Sequence, residues 1–130
     1  EEATMFTETR AFSGFSVNDL AAAKEFYGKT LGLEVEENPQ GLRLKIVGGH
    51  AVFVYSKGDH MPATYTMLNF PVEDIDKAVD DLTRKGIKFE HYGKFTDERG
   101  IARGISNNQG PDIAWFKDPA GNILSVLQDA

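Results

Sequence analysis

Residues 17–23, Val-Asn-Asp-Leu-Ala-Ala-Ala, decide the fold, because their pattern recurs in residues 72–78, Val-Glu-Asp-Ile-Asp-Lys-Ala. In both stretches a valine, an aspartate, a branched apolar residue and an alanine stand at the same spacing. An aspartate before an apolar stripe of helical period is a preferred N-cap, so each stretch predicts a strand end followed by a helix. The recurrence predicts that the chain is a duplication of one structural module.

Each predicted helix has one apolar face and a glycine stop. The face of the first helix consists of Leu20, Ala23, Phe26 and Tyr27. The face of the second helix consists of Ile75, Ala78, Val79 and Leu82. Gly32 and Gly86 follow these stripes and suit the left-handed conformation that commonly ends a helix. Each helix is therefore expected to bury one face against a sheet.

In both halves one strand-like run precedes the helix and three follow it. In the first half they cover residues 11–17, 33–37, 42–47 and 51–56. In the second half they cover residues 64–72, 88–92, 112–116 and 123–128. Turn signals at 38–41, at Gly48-Gly49 and at 118–122 predict tight hairpins. We therefore predict an α+β fold in a single domain, 1–130, with two tandem βαβββ modules at about 11–57 and 64–128.

Residues 93–111 form a connection that is longer than an ordinary hairpin loop and contains four glycines. Two interpretations stay open: a mobile flap over a site, or a long surface connection.

Composition excludes several classes of function. Fourteen Lys and Arg against twenty Asp and Glu give a net charge of −6, which opposes binding to nucleic acid or to an anionic membrane. The absence of cysteine excludes disulfides, thiolate metal sites and cysteine nucleophiles. The first ten residues are charged and polar rather than an apolar signal stretch, so a cytoplasmic location is expected.

Short motifs give the chain a family resemblance. They are Val17-Asn18-Asp19-Leu20, Phe26-Tyr27, Leu31-Gly32-Leu33 and residues 116–122, Phe-Lys-Asp-Pro-Ala-Gly-Asn. In their order and spacing, and with the internal duplication, they resemble the vicinal oxygen chelate superfamily, which includes glyoxalase I, extradiol dioxygenases, fosfomycin-resistance enzymes and bleomycin-resistance proteins. The resemblance implies that the two modules curl into an incomplete barrel around a cavity. It also implies a homodimer, since two chains complete each cavity in many members.

The resemblance further implies four metal-ligand positions, which fall here on Phe12, Val54, Met67 and Ser125. None of these side chains offers the imidazole or carboxylate that divalent ions of this class prefer. We therefore expect no metal, no cofactor and no assignable catalytic residue. The three histidines, His50, His60 and His91, lack ligand spacing and are expected to be exposed.

Strand alternation from these four positions predicts which residues line the cavity. Inward-facing residues are expected to include Val52, Ser56 and Leu127, whereas Phe53, Tyr55, Leu68 and Leu124 are expected to pack under the helices. Asn69 is expected to be a buried amide that needs a partner. Trp115, the only tryptophan, has two open interpretations: a stacking wall for a planar guest, or a residue of the core or of a dimer interface. The predicted ligand-binding residues are Phe12, Gly14, Ser16, Val54, Met67, Asn69, Trp115 and Ser125.

The sequence favours a metal-independent protein that binds a small organic molecule. Its most specific form is an antibiotic-sequestering protein of the bleomycin-resistance type, for which the resemblance implies a bulky cationic drug that the net charge of −6 would attract. Two alternatives stay open. One is a metalloenzyme, a lyase or dioxygenase, with non-standard ligands such as His50 or His91. The other is a structural or regulatory dimer whose apolar side chains fill the barrel. The substituted ligand positions weigh against an enzyme without deciding the question.

Overall fold

A computed structural model describes residues 5–48 and 50–130, and it contains two modules with the predicted order of elements. The first module consists of β1 (Ser13–Val17), α1 (Leu20–Lys24), a π-helical segment (Glu25–Thr30), β2 (Glu34–Asn38), β3 (Gly41–Ile46) and β4 (His50–Ser56). The second module consists of β5 (Thr66–Pro71), α2 (Ile75–Arg84), a 3-10 turn (Gly93–Phe95), β6 (Ile101–Arg103), β7 (Asp112–Lys117) and β8 (Ile123–Gln128). The predicted α+β class and the duplicated βαβββ order are confirmed.

Each module forms its own four-stranded sheet with the same topology. The first sheet has the order β1-β4-β3-β2, and the second has the order β5-β8-β7-β6. In both sheets the first and last strands of the module pair in parallel, and the remaining pairs are antiparallel. The two sheets do not join into a closed barrel.

The helix boundaries follow the sequence signals. Asp19 accepts a hydrogen bond from the backbone N–H of Ala22 at 3.1 Å, and Asp74 accepts one from Lys77 at 3.1 Å. Both aspartates are therefore the N-caps that the sequence predicts. The α-helical part of the first helix is only five residues long and continues as the π-helical segment, whereas α2 has ten residues.

The helix-facing sides of the two sheets meet in one apolar core. The Phe116 ring, from the second sheet, lies 6.5 Å from the ring of Phe26 and 5.6 Å from that of Phe89. The Tyr27 hydroxyl donates a hydrogen bond of 2.7 Å to the buried carboxylate of Asp118 in the other module. Burial, and then Asp118, raise the pKa of Tyr27 above its ordinary value, so the phenol stays protonated and can donate.

One predicted strand is wrong. Residues 88–92 do not form a strand, and only Phe89 forms an isolated bridge, with Phe116. The outer strand of the second sheet is instead β6, which pairs with β7. Three residues are too few to show strand alternation, so the sequence contains no periodic signal for β6.

Residues 93–111 thus contain a 3-10 turn and a strand rather than an unstructured loop. Arg103 attaches this connection to α2 through a bond of 2.7 Å to Asp76, and Arg99 bonds the same carboxylate at 2.6 Å. Asp97 also accepts a bond of 3.1 Å from Arg103. These contacts favour a packed connection over a free flap.

Two of the predicted turns are confirmed. Asn38 accepts from the backbone N–H of Gly41 at 3.0 Å, and the N–H of Gly121 donates to the carbonyl of Asp118 at 3.0 Å. Of the predicted Gly48-Gly49 turn, Gly49 lies outside the described residues. Across residues 5–48 and 50–130, no helix combines the length and the apolar character that a bilayer crossing requires.

Candidate functional site

Each sheet has an open face, which we define as the side opposite the helices. On the first sheet, Gly14 is the neighbour of Phe53 and Ser16 is the neighbour of Tyr55. Arg43, on the neighbouring strand β3, is also in register with Phe53. Neighbouring residues in register point to the same side of a sheet, so these side chains lie on the open face.

Val54 does not lie on the open face. It is in register with Phe15 and Leu42, is 0% exposed, and belongs to the core under the helices. The predicted inward direction is wrong for Val52, Val54 and Ser56, the last of which is in register with the buried Val17. The predicted helix-facing direction of Phe53 and Tyr55 is wrong as well. A shift of one residue reverses every side chain of a strand, and the uniformly apolar run 51–55 contains no polar residue that fixes the alternation.

On the second sheet the predicted directions are correct except at Met67, which was expected on the open face and packs against the core. Asn69 is in register with Ser125, and Ser125 is in register with Trp115, so the three lie side by side on the open face. Leu124 and Val126 are buried on the helix side. Met67 is half-buried against the core, at an irregularity of register between Thr66 and Leu68.

Three aromatic rings form what we call the aromatic cluster: Tyr92, Phe95 and Trp115. The Tyr92 ring stands edge-on to Trp115 at 5.5 Å, and the Phe95 ring is stacked with it at 5.9 Å and 24°. The indole N–H donates to the Thr66 hydroxyl at 3.0 Å, which fixes the plane of the ring. Phe95 is 66% exposed, so the cluster presents ring surface to solvent.

A polar pair lies beside this cluster on the open face. The buried Ser125 hydroxyl donates a hydrogen bond of 2.6 Å to the side-chain oxygen of Asn69. Asn69 itself is exposed, so the expectation of a buried amide is wrong. Its amide N–H groups have no acceptor among the residues that the structure describes. The amide is thus available to an acceptor atom of a ligand.

The remaining predicted site residues lie on the first sheet. Phe12 is 73% exposed. Gly14 lies close to the backbone of β4, since a β-carbon there would lie 3.1 Å from the Phe53 carbonyl oxygen. The Ser16 hydroxyl lies 2.6 Å from Nδ1 of His60, whose Nε2 lies 3.1 Å from the carbonyl oxygen of Ala120.

His60 is therefore half-buried and connects both modules, in contrast to the exposed histidine that was predicted. With Nε2 donating to the Ala120 carbonyl, Nδ1 accepts from the Ser16 hydroxyl. His50 and His91 are exposed, as predicted.

The structure therefore brings together Asn69, Trp115 and Ser125 out of the predicted set. Tyr92 and Phe95 were not among the predicted residues; Phe95 lies in the 3-10 turn and Tyr92 directly precedes it. Two aromatic residues three positions apart beside Gly93 were the available signal, but the incorrect strand assignment for 88–92 concealed it. The exposed rings and the open faces give no support to a barrel filled by its own side chains.

The four positions that the resemblance assigns to metal ligands do not fit a divalent ion. Phe12 presents a phenyl ring, Met67 a thioether, and Val54 points into the core. The Ser125 hydroxyl is bonded to Asn69. In the described ranges, 5–48 and 50–130, no three His, Cys, Asp or Glu side chains are grouped so that they could hold a metal ion. No chemistry through a metal follows from this donor set.

Two separate sheets with equal topology and open outer faces define a class of duplicated βαβββ proteins. The sequence matches the profile of the Glyoxalase/Bleomycin resistance protein/Dioxygenase superfamily over residues 11–126. The chain therefore belongs to this superfamily, and the resemblance deduced from the sequence is confirmed.

Individual relatives are distant. The chain is 28% identical over 127 residues to the Bacillus subtilis (strain 168) protein YraH, described as uncharacterized, with 86% of this chain and 91% of that protein covered. Two solved structures share the fold. The fosfomycin resistance protein FosX of Listeria monocytogenes has a TM-score of 0.69 at 12% identity, covering 95% of this chain and 94% of that chain. The antibiotic binding protein TnmS3 of Streptomyces sp. CB03234 has a TM-score of 0.63 at 20% identity, covering 95% of this chain and 98% of that chain.

Proposed function

We propose that the protein binds a small planar organic molecule on the open face of its second sheet, without a metal ion. The observation behind this proposal is the aromatic cluster beside the free amide of Asn69, which is bonded to Ser125, one of the positions that the resemblance assigns to metal ligands. A mostly apolar surface with a few polar groups that orient the guest is typical of small-molecule sites.

The geometry suits a flat guest. Phe95 and Trp115 already lie nearly parallel, and Phe95 is exposed enough to offer ring surface to a third ring. Aromatic pairs of this kind contribute about 0.5–1.5 kcal/mol each beyond the burial of their area. The amide N–H groups of Asn69 would then donate to a carbonyl or ether oxygen of the guest.

An antibiotic is the most specific form of this proposal. TnmS3 is described as an antibiotic binding protein and FosX as a fosfomycin resistance protein, and both share the fold. The net charge of −6 attracts a cationic drug at long range. We therefore expect a bulky cationic aromatic antibiotic of the bleomycin type to be the first compound class to test.

A second copy of the chain is proposed to cover the open faces. Single open sheets leave Phe12, Tyr55, Tyr92 and Phe95 exposed, and large exposed apolar side chains in groups mark contact surfaces. Light scattering coupled to size-exclusion chromatography tests the proposed homodimer, and a monomer at high micromolar concentration would contradict it.

Trp115 makes the ligand proposal directly measurable, because the chain has one tryptophan. Titration with bleomycin and with a panel of planar aromatic compounds, in buffer containing a metal chelator, is expected to quench its fluorescence and raise the melting temperature. A ligand at 100 times its Kd stabilises the folded state by about 2.7 kcal/mol. Phe95→Ala is expected to weaken binding, whereas Tyr65→Ala, which removes an aromatic ring of similar exposure (69% against 66%) outside the aromatic cluster, is the matched control.

Two results would overturn the proposal. One is that no compound in the panel changes either signal. The other is that a compound binds only after zinc, nickel, manganese or iron is added, which would establish the metalloenzyme alternative.

A further inference from the structure

A cavity of about 730 Å³ lies on the first sheet, away from the aromatic cluster. It is open to solvent and lies between the turn that precedes β1 and the open face of β3 and β4. The side chains that matter are Arg10, Phe12, Arg43, His50 and Phe53.

The charge of this cavity is opposite to that of the protein. Arg10 and Arg43 both line it, and no Asp or Glu of the described residues does. Arg43 bonds Glu36 at 3.1 Å on the neighbouring strand. Arg10 has no hydrogen-bond or ion-pair partner in the described part of the chain. An unpaired guanidinium in a cavity of a chain with net charge −6 is available to an anionic ligand.

Two phenyl rings line the same space. Phe12 is 73% exposed, and Phe53 lies on the open face in register with Gly14 and Arg43. Exposed rings next to a guanidinium can hold the flat part of a guest while the cation holds its charged group.

We infer that this cavity binds a small aromatic anion, a carboxylate or a sulfonate, with Arg10 as the main contact of the anionic group. A guanidinium donates two parallel hydrogen bonds to either group. His50 adds a ring N–H donor, and Phe12 and Phe53 contact the ring of the guest. This site is on a different sheet from the proposed planar-molecule site.

The first experiment uses two fluorescent probes with the same ring system. They are 1-anilinonaphthalene-8-sulfonate, which is anionic, and N-phenyl-1-naphthylamine, which lacks the sulfonate. The anionic probe is expected to bind about tenfold more tightly than the neutral one, since one charge-assisted hydrogen-bond pair contributes on that order. Equal affinities for the two probes would overturn the inference.

Variants locate the binding. Arg10→Gln is expected to weaken the anionic probe about tenfold and to leave the neutral probe unchanged. Arg84→Gln, which removes the same charge from the exposed end of α2, is the control and is expected to change neither. Arg10 lies outside the helices and strands, so its replacement is expected to leave the melting temperature within about 2 °C of the wild type. An Arg10→Gln protein that binds the anionic probe as tightly as the control would overturn the inference.

Amide chemical shifts separate this site from the one on the second sheet. Binding of the anionic probe is expected to shift the backbone signals of Arg10 and Ala51 while those of Asn69 and Ser125 stay in place. Shifts confined to Asn69 and Ser125 would overturn this inference and support the other site. If the planar-molecule titration fails but the signals of Arg10 and Ala51 shift, the proposed function is wrong and this inference is supported.

Discussion

The two modules agree where they face the core and differ where they face away from it. Asp19 and Asp74 cap their helices with nearly the same backbone angles, φ −149° and ψ 104° against φ −141° and ψ 103°. Gly32 and Gly86 end the helical regions with φ of 78° and 93°. The strand order and the parallel pairing of first and last strands are identical.

The open faces show no such agreement. The first sheet has a ladder of charges on its outer strands, where Lys45 lies 3.0 Å from Glu36 and 3.4 Å from Glu34, and Arg43 lies 3.1 Å from Glu36. The second sheet has the neutral aromatic cluster and the Asn69–Ser125 pair. The residues on the helix-facing side are constrained because they must pack closely in the core. The residues on the open face are not constrained in this way and can differ between the modules.

The largest effect is expected in the core that the modules share. Phe116→Ala removes a buried ring that contacts Phe26 of the other module, and we expect a loss of about 3–5 kcal/mol in the free energy of unfolding, measured with denaturant. Phe95→Ala, at an exposed ring, is the control, with an expected loss below about 1 kcal/mol. Similar losses for both variants would show that the core and the open face contribute equally to the free energy of unfolding.

A smaller effect is expected at the polar contact between modules. Tyr27→Phe removes the hydroxyl that donates to Asp118 and leaves a buried carboxylate with one partner fewer. We expect a loss of about 1–3 kcal/mol in the free energy of unfolding. The exposed Tyr65 supplies the control through Tyr65→Phe, which is expected to change little. If Tyr27→Phe behaves like that control, the hydrogen bond does not hold the modules together.

The two helix caps test whether equivalent positions in the two modules contribute equally to stability. Asp19→Ala and Asp74→Ala are each expected to lower the free energy of unfolding by about 1 kcal/mol, because both remove one side-chain acceptor of equal geometry. Chemical denaturation of the two variants and of their combination measures this. A loss that is severalfold smaller for one cap would mean that the two helix starts are equivalent in shape only.

The smallest effect is expected at Asp76, a feature of the second module alone. Its hydrogen bond from Arg103 holds the pKa of this carboxyl below its ordinary value, even though burial raises it. A lowered folded-state pKa stabilises the protein above the unfolded pKa of about 3.9, and this contribution disappears as the pH falls through the folded pKa. We expect less than about 1 kcal/mol, as for other exposed ion pairs.

Asp76→Asn measures this contribution, since it keeps the shape and removes the titration. At pH 6 the variant is expected to be slightly less stable than the wild type, and the difference is expected to shrink as the pH falls below about 3.9. A difference that stays constant over this range would show that the Arg103–Asp76 pair does not stabilise the fold.

The sequence predicted the parts of the fold that repeat and have local signals. The caps Asp19 and Asp74 and the glycines after the helices have such signals, and all four are in the predicted places. Strand directions were predicted correctly where polar residues mark the alternation, as Asn69 and Ser125 do. They were wrong in β4, where an apolar run is compatible with either direction.

The rest of the site depends on contacts between distant segments. Tyr92 and Phe95 contact Trp115 from a 3-10 turn that is far from it in sequence, and Arg103 of β6 bonds this connection to α2. A three-residue strand and a set of arginine–aspartate pairs have no periodic pattern in the sequence. The ligand roles of the predicted residues remain predictions, except for that of Val54, whose side chain points into the core.

The segment between the modules is more than a tether. His60 lies in this linker, and its ring touches Ser16 of one module and Ala120 of the other. Asn122 also donates to the Ser16 carbonyl oxygen at 3.0 Å. If two chains exchanged modules, these contacts between the modules would have to break and form again with the other chain. A module-exchanged dimer and a dimer of self-contained chains would then have the same contacts between modules, and the conformation of the linker would distinguish them.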